Sequence, residues 1–589
     1  MGGDRTGADL FVEALEAYGV DHVFGNPGTT ELPIVDALDE RGLEYVLALH
    51  EDIAVGMASG YASTRRYRTH RGDDVCPLGV VNLHITPGVA HGLGNLYGAA
   101  AAGTPLLVTA GSHSTDFRHE EPVLSGDLEA MTDQYTKWSA EVLDVAALPT
   151  MLRRAVRTAL TPPTGPVFLG LPLDVTMAET DAAVERLGEI PSAGRGDAAA
   201  IDRAADLLAD ADDPVFVLGD GVARADAVDE AVALAEAAGA RVHGEILAAE
   251  VSFPTDHDQW VSFVPPDEDA AREAMDADTL LFAGCSTNTT VTRHENPLVS
   301  SETTCIHLGD DAWELGKNHP ADATLLGDPK QVASELAERV EQRVDAAERA
   351  RRLERVAEAK AEIRGRLSAG DTADGDADDR RATKAELVDA LHEAVPDAYL
   401  VDEGVTSKYV MLARWPFEAA SLISNKGAGL GYGLPAAVGA AIAEDESDRP
   451  VVGFVGDGSY LYYPHALYSA ARYDVDLTVV VSDNRNYRIL KDNTLDLLGG
   501  EESDHAFVGM DFDPPVDIPA NAESHGVRGE RIEDADDISD AVAAAVSRSG
   551  PDVLDVLVRD QGRSKASSSR PAARAATARI RVFWRFTSL

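Results

Sequence analysis

Gly456-Asp457-Gly458-Ser459 follows the apolar run Val451–Val455, and a second apolar run, Leu477–Ser482, ends in Asp483-Asn484-Arg485-Asn486. A helical stretch separates the runs, so the order reads strand, helix, strand. A right-handed crossover of that length sets consecutive parallel strands side by side. Asp457 and Asn484 then share the carboxyl edge of one sheet, where α/β folds bind ligands. The Asp457 carboxylate, the Asn484 amide oxygen and the backbone carbonyl of Asn486 are hard oxygen donors. They suit Mg2+ and leave it room for a water and two phosphate oxygens. Gly456 and Gly458 let the chain turn tightly and approach a phosphate, with Ser459 beside them. The plain alternative is an ordinary strand-end turn. A second copy, Gly219-Asp220-Gly221, also follows an apolar run, but Leu247 stands where the matching Asn would be. That copy is expected to belong to a Rossmann-like middle domain.

Gly-Asp-Gly, then Asn 27 residues after the Asp, resembles the binding motif of thiamine diphosphate-dependent enzymes. Thiamine chemistry needs a carboxylate at the aminopyrimidine ring. Protonating a ring nitrogen favours the imino tautomer, whose exocyclic nitrogen takes the thiazolium proton. Such an acid is partly buried, with raised proton affinity. His50-Glu51-Asp52-Ile53-Ala54, after the strand-like Tyr45–Leu49, offers one. Glu51 opens a helix lined by Ala54, Ala58, Gly60 and Ala62, small enough to lie close against a neighbour or a cofactor. Read alone, Glu51 is a first-turn acid that stabilises the helix dipole. Together with those small residues it matches the family's activating-glutamate motif. The resemblance covers roughly residues 8–560 in the family's order: pyrimidine domain, middle domain, diphosphate domain.

Within the family, three segments resemble the benzoylformate decarboxylases: Val23–Pro33, Asn82-Leu83-His84 and Gly429–Pro435. The resemblance implies proton transfer by His84, which alone reads as a core or loop histidine; His91 and His113 are further candidates. Thr29, where those enzymes carry Ser, would position the substrate carboxylate. A second active-site histidine is implied in the middle domain. His294 is the nearest candidate, though its spacing from Gly284 is longer. Leu430 would prop the cofactor's bent conformation, or serve as a core residue. Thr406 and Ser407, after Asp402-Glu403, would bind diphosphate with hydroxyls and backbone amides, or cap a helix. The implied cofactors are thiamine diphosphate and Mg2+; FAD is possible but not expected. The implied activity is decarboxylation of a small-molecule 2-oxo acid, with acetolactate synthase-like carboligation as the alternative. Specificity would come from loops such as Arg488–Phe512. A homodimer or homotetramer is expected, because the family shares its cofactor between chains. A protein that binds the cofactor without chemistry would not need Glu51.

The elements that must position these residues form an α/β fold of three doubly wound parallel sheets. Residues 1–185 alternate helix and buried strand as the pyrimidine-binding unit. Residues 198–340 repeat the pattern as the middle domain. Residues 341–380, charged and helical and then rich in Gly and Asp, read as a long exposed connection. Residues 381–560 make the diphosphate-binding unit. The tail, 561–589, carries seven basic residues and no acid, and reads as a disordered extension.

The chain of 589 residues holds 101 acidic and 51 basic side chains, a net charge of −50. Only nine of the basic residues are Lys. The acid is spread throughout, which fits a solvated surface suited to high salt, where screening relieves self-repulsion. The same charge disfavours nucleic acid and anionic membranes. Cys76, Cys285 and Cys305 are far apart and odd in number, against a disulfide framework. No apolar run reaches membrane length, no signal pattern opens the chain, and a cytoplasmic location is expected.

Overall fold

The computed structural model describes residues 5–560, save 40, 291–292, 371–378, 446 and 448, so the 561–589 tail lies outside the described residues. Eighteen strands form three six-stranded sheets, and every paired neighbour is parallel. The first sheet holds β1 (His22–Gly25), β2 (Glu44–Leu47), β3 (Gly79–Leu83), β4 (Leu106–Ser112), β5 (Ser139–Glu141) and β6 (Val167–Pro172). The second holds β7 (Pro214–Leu218), β8 (Arg241–Gly244), β9 (Trp260–Phe263), β10 (Thr279–Ala283), β11 (Thr304–Gly309) and β12 (Ala323–Leu326). The third holds β13 (Tyr399–Glu403), β14 (Leu422–Ser424), β15 (Val451–Gly456), β16 (Thr478–Asp483), β17 (Arg528–Ile532) and β18 (Asp552–Leu557).

The first and third sheets share one order, β2-β1-β3-β4-β6-β5 and β14-β13-β15-β16-β18-β17. In both, the chain reverses direction across the sheet at one gap, β1/β3 and β13/β15, and such gaps open a crevice at the carboxyl edge. The second sheet, β12-β11-β10-β7-β8-β9, has the Rossmann order. Half of the eighteen strands described are buried along their whole length, as parallel strands covered on both faces must be.

One apolar core joins the first and third units. It runs from Ile53, Met57 and Tyr61 to Tyr399, Val438 and Tyr460. At its centre the Glu51–His70 helix crosses the Gly433–Ala443 helix. The small residues of the Glu51 helix therefore serve a neighbouring helix. A methyl on Gly60 would come 2.7 Å from the Ala436 carbonyl carbon, and one on Gly439 would come 2.7 Å from that of Met57.

The reading of 341–380 as an exposed connection needs correction for its first half. The Ala346–Gly370 helix docks on the middle unit through Val356 and Arg352, both buried. Arg352 donates to the carbonyls of Leu208, Ala209, Ala211 and Ala238. A guanidinium satisfies the unpaired carbonyls where helices end. Among the described residues, no helix is long and apolar enough to cross a membrane.

Candidate active site

Three strands of the first sheet deliver chemistry to one edge. After β1 come Gly28 and the short turn Thr29–Glu31; after β2 comes Glu51; after β3 comes His84. Gly28 lies so close to His84 that any side chain there would overlap the imidazole. A methyl on Gly88 would lie 3.1 Å from Glu51 Oε1 and 3.3 Å from His84 Cβ. Glu51, His84 and the Gly28–Thr29 turn thus meet around two bare α-carbons. Thr29 is exposed at the rim.

His84 Nδ1 lies 2.8 Å from Glu31 Oε2. A carboxylate oxygen accepts, so Nδ1 is the donor of this pair. Glu31 itself is fully buried, and it accepts from the Gly28 and Gly111 amides and from Thr30 Oγ1. Those donors fix the carboxylate, and the carboxylate fixes the imidazole. Glu31 was missing from the sequence candidates. It follows two threonines in a loop, and only its burial distinguishes it from a surface acid.

Glu51 is the first residue of its helix. His50 caps that helix, its Nδ1 accepting the Asp52 amide at 3.1 Å. Asp52 accepts from the Asn95 amide at 2.7 Å and from Tyr463 Oη at 3.0 Å, which ties the Glu51 turn to the third unit. Burial raises the Asp52 pKa.

At the carboxyl edge of the third sheet, Gly456 pairs with Ser482, which brings Asp457 beside Asp483. Asp457 is buried; its Oδ1 accepts the Gly458 amide, and its Oδ2 has no partner. Burial and then Asp483 push its pKa up to about 8. Asn484 Oδ1 accepts the Asn486 amide at 3.1 Å, and Asn486 Oδ1 is buried and unpartnered. Two buried oxygens without donors, Asp457 Oδ2 and Asn486 Oδ1, lie at an edge where the Asp457 and Asp483 carboxylates are neighbours, an arrangement that would suit a divalent cation. The donor set fits Mg2+.

Around this point the remaining predicted residues take up specific roles. Gly456 and Gly458 both lack positive φ, so no left-handed turn calls for them. A methyl on Gly458 would strike the Tyr487 ring at 2.6 Å, whereas Gly456 has room. Ser459 Oγ donates to the Glu403 carbonyl. Thr406 and Ser407 are the first residues of the Thr406–Arg414 helix; its cap is Val405, so neither caps it. Ser407 Oγ is paired with Ser482 Oγ at 2.8 Å, next in sequence to Asp483. Leu430 is half-buried and precedes Gly431, whose φ of +100° needs glycine. The Glu403 carboxylate accepts the amides of Gly431, Tyr432 and Gly433 and the Asn425 side chain, fastening that turn. Burial pushes its pKa up to about 7.

Two histidines sit elsewhere. His294 Nδ1 contacts the Asn296 carbonyl in the middle unit, and its charge is felt at Glu268 and His319 of that unit. None of these contacts joins it to the Glu51–His84 cluster. His113 binds the Val123 carbonyl. The second Gly-Asp-Gly lies in the middle unit, at the end of β7. Asp220 is buried, paired with Lys426 at 2.7 Å, and accepts the Ala249 and Glu250 amides.

Comparison with known proteins agrees with this division. The N-terminal thiamine pyrophosphate-binding domain of thiamine pyrophosphate enzymes matches residues 5–136, the central domain 201–336 and the C-terminal binding domain 404–556. The chain is 30% identical to a benzoylformate decarboxylase of Pseudomonas aeruginosa, over 92% of this chain and 97% of that one. It is 28% identical to a probable acetolactate synthase large subunit of Methanocaldococcus jannaschii, over 94% and 92%. Its fold is similar to that of the thiamine diphosphate-dependent 4-hydroxybenzoylformate decarboxylase of Rhodococcus jostii, with TM-score 0.80, 27% identity and coverage of 94% and 99%.

Proposed function

Because the chain belongs to the thiamine pyrophosphate enzyme family, we propose that it is a Mg2+-dependent decarboxylase of a 2-oxo acid. The observation that carries this reading is the convergence of Glu51 and His84 on Gly88, with Glu31 fixing the imidazole. Asp457, Asn484 and Asn486 would hold Mg2+, and the segments at Thr406, Leu430 and Gly456 would hold the cofactor. When bound, thiamine diphosphate supplies the electron sink that makes loss of carbon dioxide possible.

The chain's own residues do the rest. Glu51 offers a shielded carboxylate that can hold a proton at the aminopyrimidine end. His84, with Nδ1 committed to Glu31, presents Nε2 to take a proton and return it. Thr29 offers a hydroxyl at the rim for the substrate carboxylate. In this reading His294 has no assigned step.

The likeness to acetolactate synthases supports a second reading, ligation of a second 2-oxo acid before release. The test is a panel of 2-oxo acids, from benzoylformate to pyruvate, in high salt with Mg2+ and thiamine diphosphate. Carbon dioxide with free aldehyde supports decarboxylation. A ligated hydroxy-keto acid supports the second reading, and no carbon dioxide from any 2-oxo acid contradicts both.

A further inference from the structure

Glu51 has two oxygens in different surroundings. Oε1 lies against the bare α-carbon of Gly88. Oε2 lies 3.1 Å from His91 Nδ1. The Glu51 side chain is 11% exposed and the His91 side chain 56%. His91 stacks on His50, with ring centroids 5.2 Å apart and 27° between planes. His50 in turn packs against Tyr463 and His465 of the third unit.

Two imidazoles and a carboxylate invite comparison with a metal site, since one ligand atom from each lies within 4.8 Å of the others. The geometry speaks against an ion. Near-parallel stacked rings send their in-plane lone pairs in near-parallel directions, which do not converge on one centre. The His50 Nδ1 lone pair is also already taken by the Asp52 amide.

We infer that His91 is a positioning residue for Glu51: its Nδ1–H pins Oε2, which leaves Oε1 as the oxygen offered across Gly88 toward the cofactor ring. The inference rests on Glu51 being the acid that activates thiamine diphosphate. A carboxylate on three rotatable bonds would otherwise spread over several orientations, at a cost in side-chain entropy when one is selected. The His50 stack holds the His91 ring in turn, and His50 is fixed by its cap bond. Both the Nδ1–H neutral form and the imidazolium donate at Nδ1, so the bond survives protonation of the exposed Nε2.

The test uses the full-length protein with His91→Ala and His91→Asn. Asn keeps a short donor that can reach Glu51; Ala removes it. In cofactor-free crystals the Glu51 carboxylate should keep one orientation in wild type and His91→Asn, and turn or split in His91→Ala. With thiamine diphosphate and Mg2+ bound, exchange of the cofactor's C2 proton with solvent should slow about tenfold in His91→Ala, as expected for a misdirected catalytic group. His91→Asn should recover most of that loss. Cofactor affinity and melting temperature should stay within error, since His91 is exposed and touches no other described cofactor segment. Wild-type exchange with an unmoved Glu51 in His91→Ala overturns the inference. If Glu51→Gln still abolishes exchange in that case, the reading of Glu51 stands; if Glu51→Gln also exchanges normally, both fall.

Discussion

Gly60→Ala tests how the crossing of two helices sets the active acid. Gly60 lies nine residues beyond Glu51 on the same helix, about 13 Å along its axis at 1.5 Å per residue. An added methyl would overlap the Ala436 carbonyl oxygen and come 2.7 Å from the Ala436 carbonyl carbon and α-carbon. Carbon atoms rest at about 3.5 Å or more, so the helices must separate by roughly 1 Å. The obstacle is backbone, which no side-chain rotation relieves. Overpacking of this kind costs about 1–3 kcal/mol, and the better helix propensity of alanine returns about 1 kcal/mol. A net loss of up to about 2 kcal/mol follows, read as a lower melting temperature in high salt. A 1 Å displacement of the catalytic helix should also cut turnover about a hundredfold. Gly42→Ala is the control, since nothing stands within 4 Å of its Cβ, and it should change neither quantity. Unchanged melting and turnover in Gly60→Ala would refute the argument that this crossing positions Glu51.

Other outcomes follow from the same geometry. Glu51→Gln should lower turnover by about 10²–10⁴-fold, the usual worth of a general acid–base group, with cofactor affinity largely kept, as measured by calorimetry. Asp457→Ala should lose Mg2+ and thiamine diphosphate together; persistent tight binding of either contradicts the metal assignment. The buried Glu403 has a folded pKa of about 7 against 4.5 for the free group. A raised carboxylate pKa favours the folded state at low pH, so this contribution is complete below about 4.5 and is lost as pH rises through 7. At 1.36 kcal/mol per pK unit it is on the order of 3 kcal/mol. Denaturation profiles between pH 4.5 and 8 should therefore differ in slope between wild type and Glu403→Gln. With a net charge of −50, the protein should lose structure in dilute buffer and regain it in concentrated salt; a circular dichroism signal independent of salt contradicts that.

The sequence showed that Asp457 and the Asp483–Asn486 segment share an edge because parallel crossovers have one hand. Once Val451–Val455 and Leu477–Ser482 were read as consecutive strands, Asp457 and the Asp483–Asn486 segment had to share an edge, and Gly456 pairs with Ser482. Glu51 was legible from its place at a strand-to-helix junction followed by small residues. Glu31 was not, because its role as a buried acceptor depends on amides from Gly28 and Gly111, the latter 80 residues away in sequence. Glu403 and Arg352 escaped notice for the same reason. Each is a charge whose partners lie on other elements, and charge in a sequence reads first as surface. At Gly458 the structure adds a neighbour that the sequence did not show, the ring of Tyr487. His294 was sought by distance along the chain, and loop length does not fix where a side chain ends up in space.

The most direct test is a crystal structure of the assembled protein with thiamine diphosphate and Mg2+ bound. The account predicts the aminopyrimidine ring in hydrogen-bond reach of Glu51 from one subunit, and the diphosphate on a metal held by Asp457, Asn484 and Asn486. A cofactor whose ring lies beyond the reach of every Glu51 in the assembly, or whose diphosphate avoids Asp457, contradicts it.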